Sequence, residues 1–370
     1  MDPESRVRIV LAGDVMTGRG IDQVLRTPGS PELFEAHARD ARDYVVLAER
    51  VHGPVGRALD GRALWGDALS ALERWKPRSL IVNLETAVTA SGEPWPGKGI
   101  HYRMNPSNVE CLTSAGVDVC TLANNHVMDW GDAGLRDTLR SLRLAGLHTA
   151  GAGAREADAW APAVVSIDAP GACEGAQLRV LSIAVSSSGV PAEWEATRTR
   201  PGVAWLPGLG EEAALRAAAA IAGEGPAVKV VSIHWGANWV AQVPQSHRLF
   251  ARRLIDLGAA DIVHGHSAHH PLPVEVYRGR LILHGCGDLI NDYEGIRAQE
   301  PWRNDVGCLY CAEFAAGPDP RNIGRLAALE VVVLQRRRFR LVDADATARA
   351  WAWQQLGRHG FDAGTAAPGA

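Results

Sequence analysis

The sequence has little lysine, no long apolar run and no surplus of positive charge. Lysine occurs only at positions 76, 98 and 229, and 38 Lys and Arg against 42 Asp and Glu give a formal net charge of −4. Proteins that bind nucleic acid by neutralising phosphates carry the opposite balance, so that class is disfavoured. No stretch approaches the roughly 18 apolar residues of a membrane-spanning helix. No signal-type apolar stretch follows the N-terminus, so we predict a cytoplasmic protein without a membrane segment.

Cysteine is sparse, with six residues spread at positions 111, 120, 173, 286, 308 and 311. This spacing excludes the dense disulfide framework of small secreted domains. Cys308 and Cys311 form a C-x-x-C motif, but it lies in the apolar run 306–314. Residues three apart on a strand point to opposite faces, so we predict buried structural thiols and not a zinc site.

The chain of 370 residues, 46% of them hydrophobic, is long enough to bury a large core. Apolar runs of strand length recur at 8–12, 79–84, 117–122, 164–167, 178–184, 228–233, 261–263, 281–284, 306–314 and 329–334. Helical patterns lie between them at 67–75, 106–115, 132–145, 211–222 and 246–257. This alternation predicts a layered α/β fold with the helices outside. Because strands crowd the C-terminal third, the sheets are expected to be mixed and to form a sandwich flanked by helices.

The predicted organisation is one domain over residues 1–345, followed by a C-terminal segment over 346–370. That segment begins with a helix containing Trp351 and Trp353. A tail of small residues from Gly360 is predicted to be disordered.

Polar side chains occur where the apolar strands stop. These residues are Asp14, Asn83, Glu85, Asn124, Asn125, His126, Asp129, His234, His264, His266, His269, His270, His284 and Asp288. Side chains at strand carboxyl ends converge on one crevice in α/β sheets, so this pattern predicts a common site. Seven of the thirteen histidines fall between His234 and His284, which favours a metal site over scattered surface histidines.

The mixture of ligand types indicates which metals are suitable. Carboxylate, amide oxygen and imidazole suit Mn, Fe or Zn, and the set exceeds the four ligands of one tetrahedral ion. A pair of divalent ions bridged by a carboxylate is therefore predicted. Such a pair generates hydroxide near neutral pH and serves hydrolytic displacement, with a protonated histidine assisting the leaving group.

Several motifs in order resemble those of the CapA family, named for poly-γ-glutamate capsule synthesis, whose fold is similar to calcineurin-like metallophosphoesterases. The motifs span positions 9 to 292 and comprise Gly13-Asp14-Val15-Met16 with Gly18-Arg19, Asn83-Leu84-Glu85, Ala123-Asn124-Asn125-His126 with Asp129 and Gly131, His234-Trp235-Gly236, Gly265-His266-Ser267 with His269, and Gly285 to Asp288.

The resemblance implies roles for individual residues. Asp14 would be the first-strand metal ligand, Glu85 the bridging carboxylate, and Asn125, His234 and His266 the ligands of the second ion. His126 would be a general acid or a phosphate-stabilising donor, oriented by Asp129. His264 and His269 compete for the remaining ligand place, because this chain reads G-H-S-A-H where phosphoesterases have G-H-x-H.

Met16 departs from the phosphoesterase pattern, which has a histidine two residues after the first aspartate. Thioether sulfur is a poor ligand for hard divalent ions. The affected place would be weakened, or completed by His264 or Asp288.

A second set of residues is predicted to bind substrate. Lys98, His101 and Arg103 follow a flexible loop and, with Arg19, could clamp a carboxylate or phosphate; the alternative is a solvated loop with incidental surface pairs. Trp130, Trp235 and Trp239 stand beside the motifs and either wall the pocket or pack in the core.

The expected function is that of a metal-dependent hydrolase or transferase with a binuclear metallophosphoesterase-type site, for which manganese is one suitable metal. Its anionic substrate would be a γ-glutamyl polymer or peptide, or a phosphate ester, in poly-γ-glutamate-type biosynthesis. The alternative is a non-catalytic accessory protein of capsule polymer synthesis that binds metal and polymer. The sequence does not predict the oligomeric state.

Overall fold

The computed structural model describes residues 6–167, 175–296, 301–315 and 323–357. The strands are β1 Arg6–Val15, β2 Ser79–Leu84, β3 Ala87–Val88, β4 Arg103–Met104, β5 Val119–Thr121, β6 His148–Ala150, β7 Ala152–Gly153, β8 Ala163–Ser166, β9 Gln177–Val185, β10 Gly202–Val203, β11 Trp205–Leu206, β12 Ala227–His234, β13 Ile262–His266, β14 Val274–Tyr277, β15 Arg280–Leu283, β16 Asp288–Ile290, β17 Val306–Ala315, β18 Leu326–Arg337 and β19 Arg340–Asp343. The helices are α1 Arg42–His52, α2 Gly61–Trp65, α3 Ala68–Trp75, α4 Glu110–Thr113, α5 Gly131–Leu144, α6 Glu156–Ala159, α7 Glu211–Ile221, α8 Gln245–Asp256 and α9 Ala346–Leu356.

The first large sheet has the order β19-β18-β17-β1-β2-β5-β6, with β16 also paired to β1. Strands β1, β2, β5, β6 and β16 run parallel, whereas β17, β18 and β19 pair antiparallel. All six residues of β2 are buried, because both faces of this central strand are covered.

The second large sheet has the order β11-β9-β12-β13-β15-β14, with β8 also paired to β9. Its central strands β9, β12, β13 and β15 are parallel, and β8 and β14 pair antiparallel. The parallel strands therefore form one end of the first sheet, with β6 at the edge, and in the second sheet they include the edge strand β11.

The two sheets pack face to face around one apolar layer. Ile9 and Leu11 of β1 meet Val180 of β9 and Val230 of β12 in this layer. The alternate residues of β1, such as Val10, face the other way and pack with helices. Helices α7 and α8 cover the outer face of the second sheet. The predicted α/β fold, with mixed sheets in a sandwich flanked by helices, is confirmed.

Most differences from the sequence prediction concern short helices. Helices α2 and α6 have five and four residues, too few to show a helical period in the sequence. Helix α1 buries only Tyr44, Val45 and Ala48, so its apolar period is weak. The helix expected over 106–115 contracts to a 3-10 turn, Pro106–Asn108, and α4.

The C-x-x-C motif lies as its strand position predicted. Cys308 faces the layer between the sheets and Cys311 faces the outer layer, and both are free buried thiols. Cys173 and the predicted tail from residue 360 lie outside the described residues. The predicted C-terminal helix is α9, which packs on β18. Within the described ranges, no helix has the length and apolar character needed to cross a membrane.

Candidate metal centre

The carboxyl ends of parallel strands from both sheets meet at one edge of the sandwich. Strand pairing sets the residues opposite one another there: Asp14 of β1 is in register with Asp288 of β16, and His234 of β12 with His266 of β13. All four side chains are buried. The predicted convergence of strand-end polar residues is thus a consequence of sheet register.

Two overlapping groups of side chains have the spacing of a metal site. One consists of Asp14, His234 and His266, and the other of Asp14, His269 and Asp288. Within each group one ligand atom per residue lies within 4.8 Å of the others. Asp14 belongs to both groups.

The first group brings two imidazoles together. Nδ1 of His234 lies 2.7 Å from Nδ1 of His266, and Nε2 of His234 lies 3.1 Å from Oδ1 of Asn125. Burial lowers the pKa of both histidines well below its usual value. Both rings are therefore neutral at pH 7, which is the form that binds metal.

The second group pairs a histidine with a carboxylate. Nδ1 of His269 is 2.8 Å from Oδ1 of Asp288 and 4.0 Å from Oδ2 of Asp14. The amide of Asn291 donates to Oδ2 of Asp288 (2.8 Å), which fixes the carboxylate. The raised pKa of His269 reflects the attraction of Asp288 and Asp14, which outweighs the opposing effect of burial.

Buried carboxylates provide a test of whether a cation fits the site. Burial, followed by repulsion from Asp288, raises the pKa of Asp14 to about 7. Burial and the neighbouring Asp14 and Asp288 raise the pKa of Glu85 well above its usual range, and Oε1 of Glu85 is buried without a hydrogen-bond partner. A divalent ion would relieve this repulsion and accept the unpartnered oxygen. The oxygen and imidazole donors suit Mn, Fe or Zn, so the residues fit the predicted metals.

Glu85 lies beside the two groups and belongs to neither. Its Oε1 is 3.9 Å from Nε2 of both His126 and His234. Asn83 donates from Nδ2 to Oδ1 of Asp14 (2.7 Å) and to Oε2 of Glu85 (3.3 Å), so it links the two carboxylates. No individual role was predicted for Asn83, although its position at the end of β2 was the available signal. Asp14 is common to the two groups, and the bridging role of Glu85 stays a prediction.

His264 and His269 occupy different places. Nε2 of His264 lies 2.9 Å from the carbonyl oxygen of Ala12, and Nδ1 lies 3.1 Å from Oγ of Ser232. Both ring nitrogens of His264 are thus engaged by the protein. The sequence left His264, His269 and Asp288 as alternative ligands. Of these three residues, the structure places His269 and Asp288 in one group with Asp14.

His126 is held by the residue predicted to orient it. Its Nδ1 is 2.7 Å from Oδ2 of Asp129, and Lys98 donates to the other oxygen of that carboxylate. Asp129 has a lowered pKa because Lys98 and His126 together outweigh its burial, so it is ionised and can only accept. Nδ1 of His126 therefore carries the hydrogen, and Nε2 presents its lone pair towards Glu85. Burial and Lys98 lower the pKa of His126 to about 4, so the ring is neutral at pH 7.

The turn that carries His126 is fixed by Asn124. Its Oδ1 accepts from the backbone N–H groups of His126 (3.1 Å) and Val127 (3.0 Å), and its Nδ2 donates to the carbonyl oxygen of Leu84 (2.9 Å). Asn124 thus ties the loop after β5 to the end of β2. The neighbouring Asn125 is left to face His234.

The four residues predicted to clamp a substrate anion are not assembled as a clamp. The Arg19 guanidinium is buried between Asp292 and Glu35. Arg103 stacks over the ring of Trp130 at 3.6 Å, and Nε2 of His101 lies 3.0 Å from the carbonyl oxygen of Trp95.

Lys98, the fourth of these residues, contacts His126 directly, with Nζ 3.0 Å from Nδ1.

The three tryptophans near the motifs differ in their environment. Trp235 and Trp130 are buried and donate from Nε1 to the carbonyl oxygens of His284 (2.9 Å) and Tyr102 (3.1 Å). Trp239 is half-buried and lines a cavity that also reaches His269. Only the position of Trp239 matches the predicted pocket wall.

Comparisons with known proteins place the chain among capsule-related sequences. The model of a family described as bacterial capsule synthesis protein PGA_cap matches residues 8–293. Two probable polyglutamine synthesis accessory proteins, from Mycobacterium tuberculosis strains CDC 1551 and H37Rv, are each 44% identical to this chain over 351 residues. The alignment covers 93% of this chain and 89% of each relative. The PGA biosynthesis protein CapA of Bacillus subtilis is 28% identical over 296 residues, covering 78% of this chain and 64% of its own. A crystal structure described as that of a novel phosphatase from Mycoplasma pneumoniae aligns with 94% of this chain and 98% of its own at 13% identity and a TM-score of 0.45.

Proposed function

The chain belongs to the bacterial capsule synthesis protein PGA_cap family, and on that premise we propose that it is a metal-dependent hydrolase or transferase acting on an anionic substrate. The substrate classes are γ-glutamyl polymers or peptides, suggested by the names of the relatives, and phosphate esters, suggested by the ligand set.

The shared position of Asp14 carries this proposal. Asp14 would bind one divalent ion together with His234 and His266, and a second together with His269 and Asp288. Glu85 and Asn125 lie at the edge of the first group. Such ions would supply an activated water near neutral pH and would polarise the carbonyl or phosphoryl group whose carbon or phosphorus is attacked.

The surrounding residues have complementary roles. His126 presents an unprotonated Nε2, which suits it to accept a proton, and the proton is then available to the leaving group. This refines the predicted role of His126 as a general acid, because its Nε2 does not carry a proton before the reaction begins. Asp129 fixes the tautomer, and Lys98 holds Asp129. The burial of the centre excludes bulk water and so strengthens the electrostatic interactions of these groups.

Elemental analysis of purified variants tests the shared ligand. We expect about two ions per chain in the wild type, loss of both in Asp14→Asn, and loss of one in Asp288→Asn. Asp261→Asn is a matched control, because Asp261 is a buried aspartate that precedes β13, at the opposite end of the strand from His266. Unchanged metal content in Asp14→Asn, with the control also unchanged, would contradict the assignment.

Turnover is measured on the same samples with added Mn²⁺. A phosphate ester and a γ-glutamyl amide are the two substrates, so a positive result also identifies the bond attacked. We expect His126→Ala to retain metal and lose turnover. Retained turnover in this variant would remove His126 from the reaction.

The second candidate is a non-catalytic accessory protein that binds metal and polymer. The description of the 44%-identical relatives as accessory proteins favours it. Met16 also favours it, because the residue that replaces the usual histidine is fully buried and accepts a weak hydrogen bond from the Tyr293 hydroxyl (3.8 Å). Metal binding without turnover of either substrate would support this reading.

A further inference from the structure

A cavity of about 300 Å³ lies directly beside the candidate metal centre. His269 belongs to both the cavity wall and the second ligand group. The rest of the wall includes the aromatic rings of Trp239 and Tyr293 and the side-chain amides of Asn238 and Asn304. A substrate whose reacting group lies at the centre would therefore extend a neighbouring group into this cavity.

The cavity offers no free positive charge among the described residues that line it. The Arg19 guanidinium is paired with Asp292 and Glu35, both fully buried. The two histidines of the wall also lie beside carboxylates, with Nε2 of His37 3.4 Å from Oε2 of Glu35 and Nδ1 of His269 2.8 Å from Oδ1 of Asp288. Asp292 and Glu35 more than balance the charge of Arg19, so a carboxylate or phosphate placed against this wall would be desolvated without an unpaired cationic side chain to contact. The wall is therefore unsuited to an anionic group.

Trp239 is held in a constrained conformation at the mouth of the cavity. Its backbone has φ +58°, a left-handed conformation that is uncommon for a bulky residue, and its N–H donates to the carbonyl oxygen of Ala268 (3.1 Å). The indole ring lies nearly parallel to His270, which stacks in turn on Trp302 at 4.1 Å. Strain of this kind is found mostly at functional sites.

Tyr293 contributes a ring and not a free hydroxyl. Its hydroxyl donates to Sδ of Met16 and accepts from the Tyr102 hydroxyl (3.3 Å). The polar end of Tyr293 is thus already engaged within the protein. Its ring remains to form a second aromatic surface of the cavity.

We propose that this cavity holds an uncharged sugar ring of the substrate. This proposal rests on the proposed function, because only a reaction at the metal centre would place a neighbouring part of the substrate in the cavity. A pyranose presents apolar C–H faces, which pack on aromatic rings, and hydroxyls, which exchange hydrogen bonds with amides. Trp239 and Tyr293 provide the rings, and Asn238 provides an amide. Asn304 provides its amide oxygen, because its Nδ2 donates to the carbonyl oxygens of Ile296 (2.9 Å) and Tyr293 (3.4 Å). A γ-glutamyl unit carries a carboxylate that this wall would leave unpaired.

Saturation-transfer NMR of the full chain tests the proposal with methyl α-glucoside, methyl N-acetylglucosaminide and γ-glutamylglutamate as probes. Each titration is run with diamagnetic Zn²⁺ and again after EDTA treatment. The variants are Trp239→Ala and Asn238→Ala; Asn238 is exposed, so its replacement does not threaten folding. Trp205→Phe is the control, because Trp205 lies on the edge strand β11 and outside this cavity.

We expect at least one glycoside to bind saturably, with or without EDTA, and the dipeptide not to bind in the EDTA-treated protein. Trp239→Ala should weaken glycoside binding about tenfold, as loss of an aromatic contact predicts. Asn238→Ala should weaken it by a smaller factor, and Trp205→Phe should leave it unchanged. Absence of glycoside binding, binding indifferent to both cavity variants, or Trp239-dependent binding of the dipeptide instead would overturn the proposal. Metal content, measured separately, reports whether the proposed function has failed.

Discussion

Replacing Arg19 by methionine provides a direct test of how the site is supported. Arg19 donates from Nε to Oδ2 of Asp292 (3.1 Å) and from Nη1 to Oε1 of Glu35 (2.8 Å) and the Tyr44 hydroxyl (3.1 Å). The side chains of Asp292 and Glu35 are 0% exposed and that of Arg19 is 2% exposed. Arg19→Met would therefore leave two carboxylates buried without their cation.

The expected cost is that of breaking a buried ion pair from one side, about 3–5 kcal/mol in the free energy of unfolding. For a chain of this length an unfolding entropy near 2.1 cal/mol/K per residue converts that cost into a fall in Tm of about 4–6 °C. Arg19→Lys should fall between the wild type and Arg19→Met, because an ammonium keeps the charge but cannot form the planar fork that Arg19 makes with Asp292.

Urea and thermal unfolding of the metal-free protein measure this effect without any contribution from bound metal. Arg103→Met is the matched control, since Arg103 is half-buried and stacks on Trp130 instead of pairing with a carboxylate. We expect the control to lose about 1 kcal/mol or less. If Arg19→Met were as stable as Arg103→Met but bound substrate more weakly, Arg19 would be the anion clamp that its sequence position predicted, and the structural reasoning would be wrong.

Three further predictions concern the support of the fold. Gly13→Ala should destabilise the protein by about 3 kcal/mol or more in urea unfolding, because the added Cβ would lie 1.8 Å from the carbonyl oxygen of Gly287. Glu275→Gln should lower Tm at neutral pH, and the difference from the wild type should shrink as pH falls from about 5 towards about 2. The hydrogen bond with His284, above all, lowers the pKa of Glu275 to about 2. The ionised carboxylate therefore stabilises the fold at pH values above its unfolded pKa, and this stabilisation is lost when Glu275 is protonated. A Tm difference between Glu275→Gln and the wild type that stayed constant across this pH range would contradict the prediction. Asp345→Ala should lower Tm by removing the cap that accepts from the N–H of the third residue of α9, and Asp345→Asn should restore most of the loss.

The sequence predicted the sheets and the location of the site because both follow from short-range patterns. The run over β2 is apolar and β-branched, as a strand covered on both faces requires, and its six residues are all buried. Asp14, His234 and His266 each lie in the last two positions of a parallel strand. Because such ends face one edge, their convergence could be expected before any coordinates were known.

The division of roles within the site could not be predicted in the same way. His264 and His266 are two apart on β13, so both point to the same face and the sequence does not separate them. They differ in depth, because His264 reaches the backbone of β1 at Ala12 whereas His266 reaches the group that contains Asp14. The packing of the two sheets likewise determines whether Asp14 or Glu85 belongs to both ligand groups.

Arg19 shows why a cation beside a motif is weak evidence for substrate binding. Its partners Glu35 and Asp292 are 16 and 273 residues away in the chain. Neither separation forms a recognisable local pattern. The pairing depends on tertiary structure, which brings the loop after β1 against the residues that follow β16.

The position of β1 in its sheet constrains how the protein is made on the ribosome. Val10 of β1 pairs with Cys311 of β17, so the antiparallel neighbour of the first strand is synthesised about 300 residues later, which takes on the order of 15–60 s at ordinary translation rates. Until then β1 can pair with β2 on one side only, and its other edge is open to solvent, chaperones or other nascent chains. Asp288 is also synthesised late. For most of its synthesis the nascent chain therefore contains Asp14 but lacks the Asp288 of the second ligand group. If the centre binds metal as proposed, the second ligand group would be completed only when Asp288 is synthesised, and an interruption before β16 would yield a product that lacks this ligand.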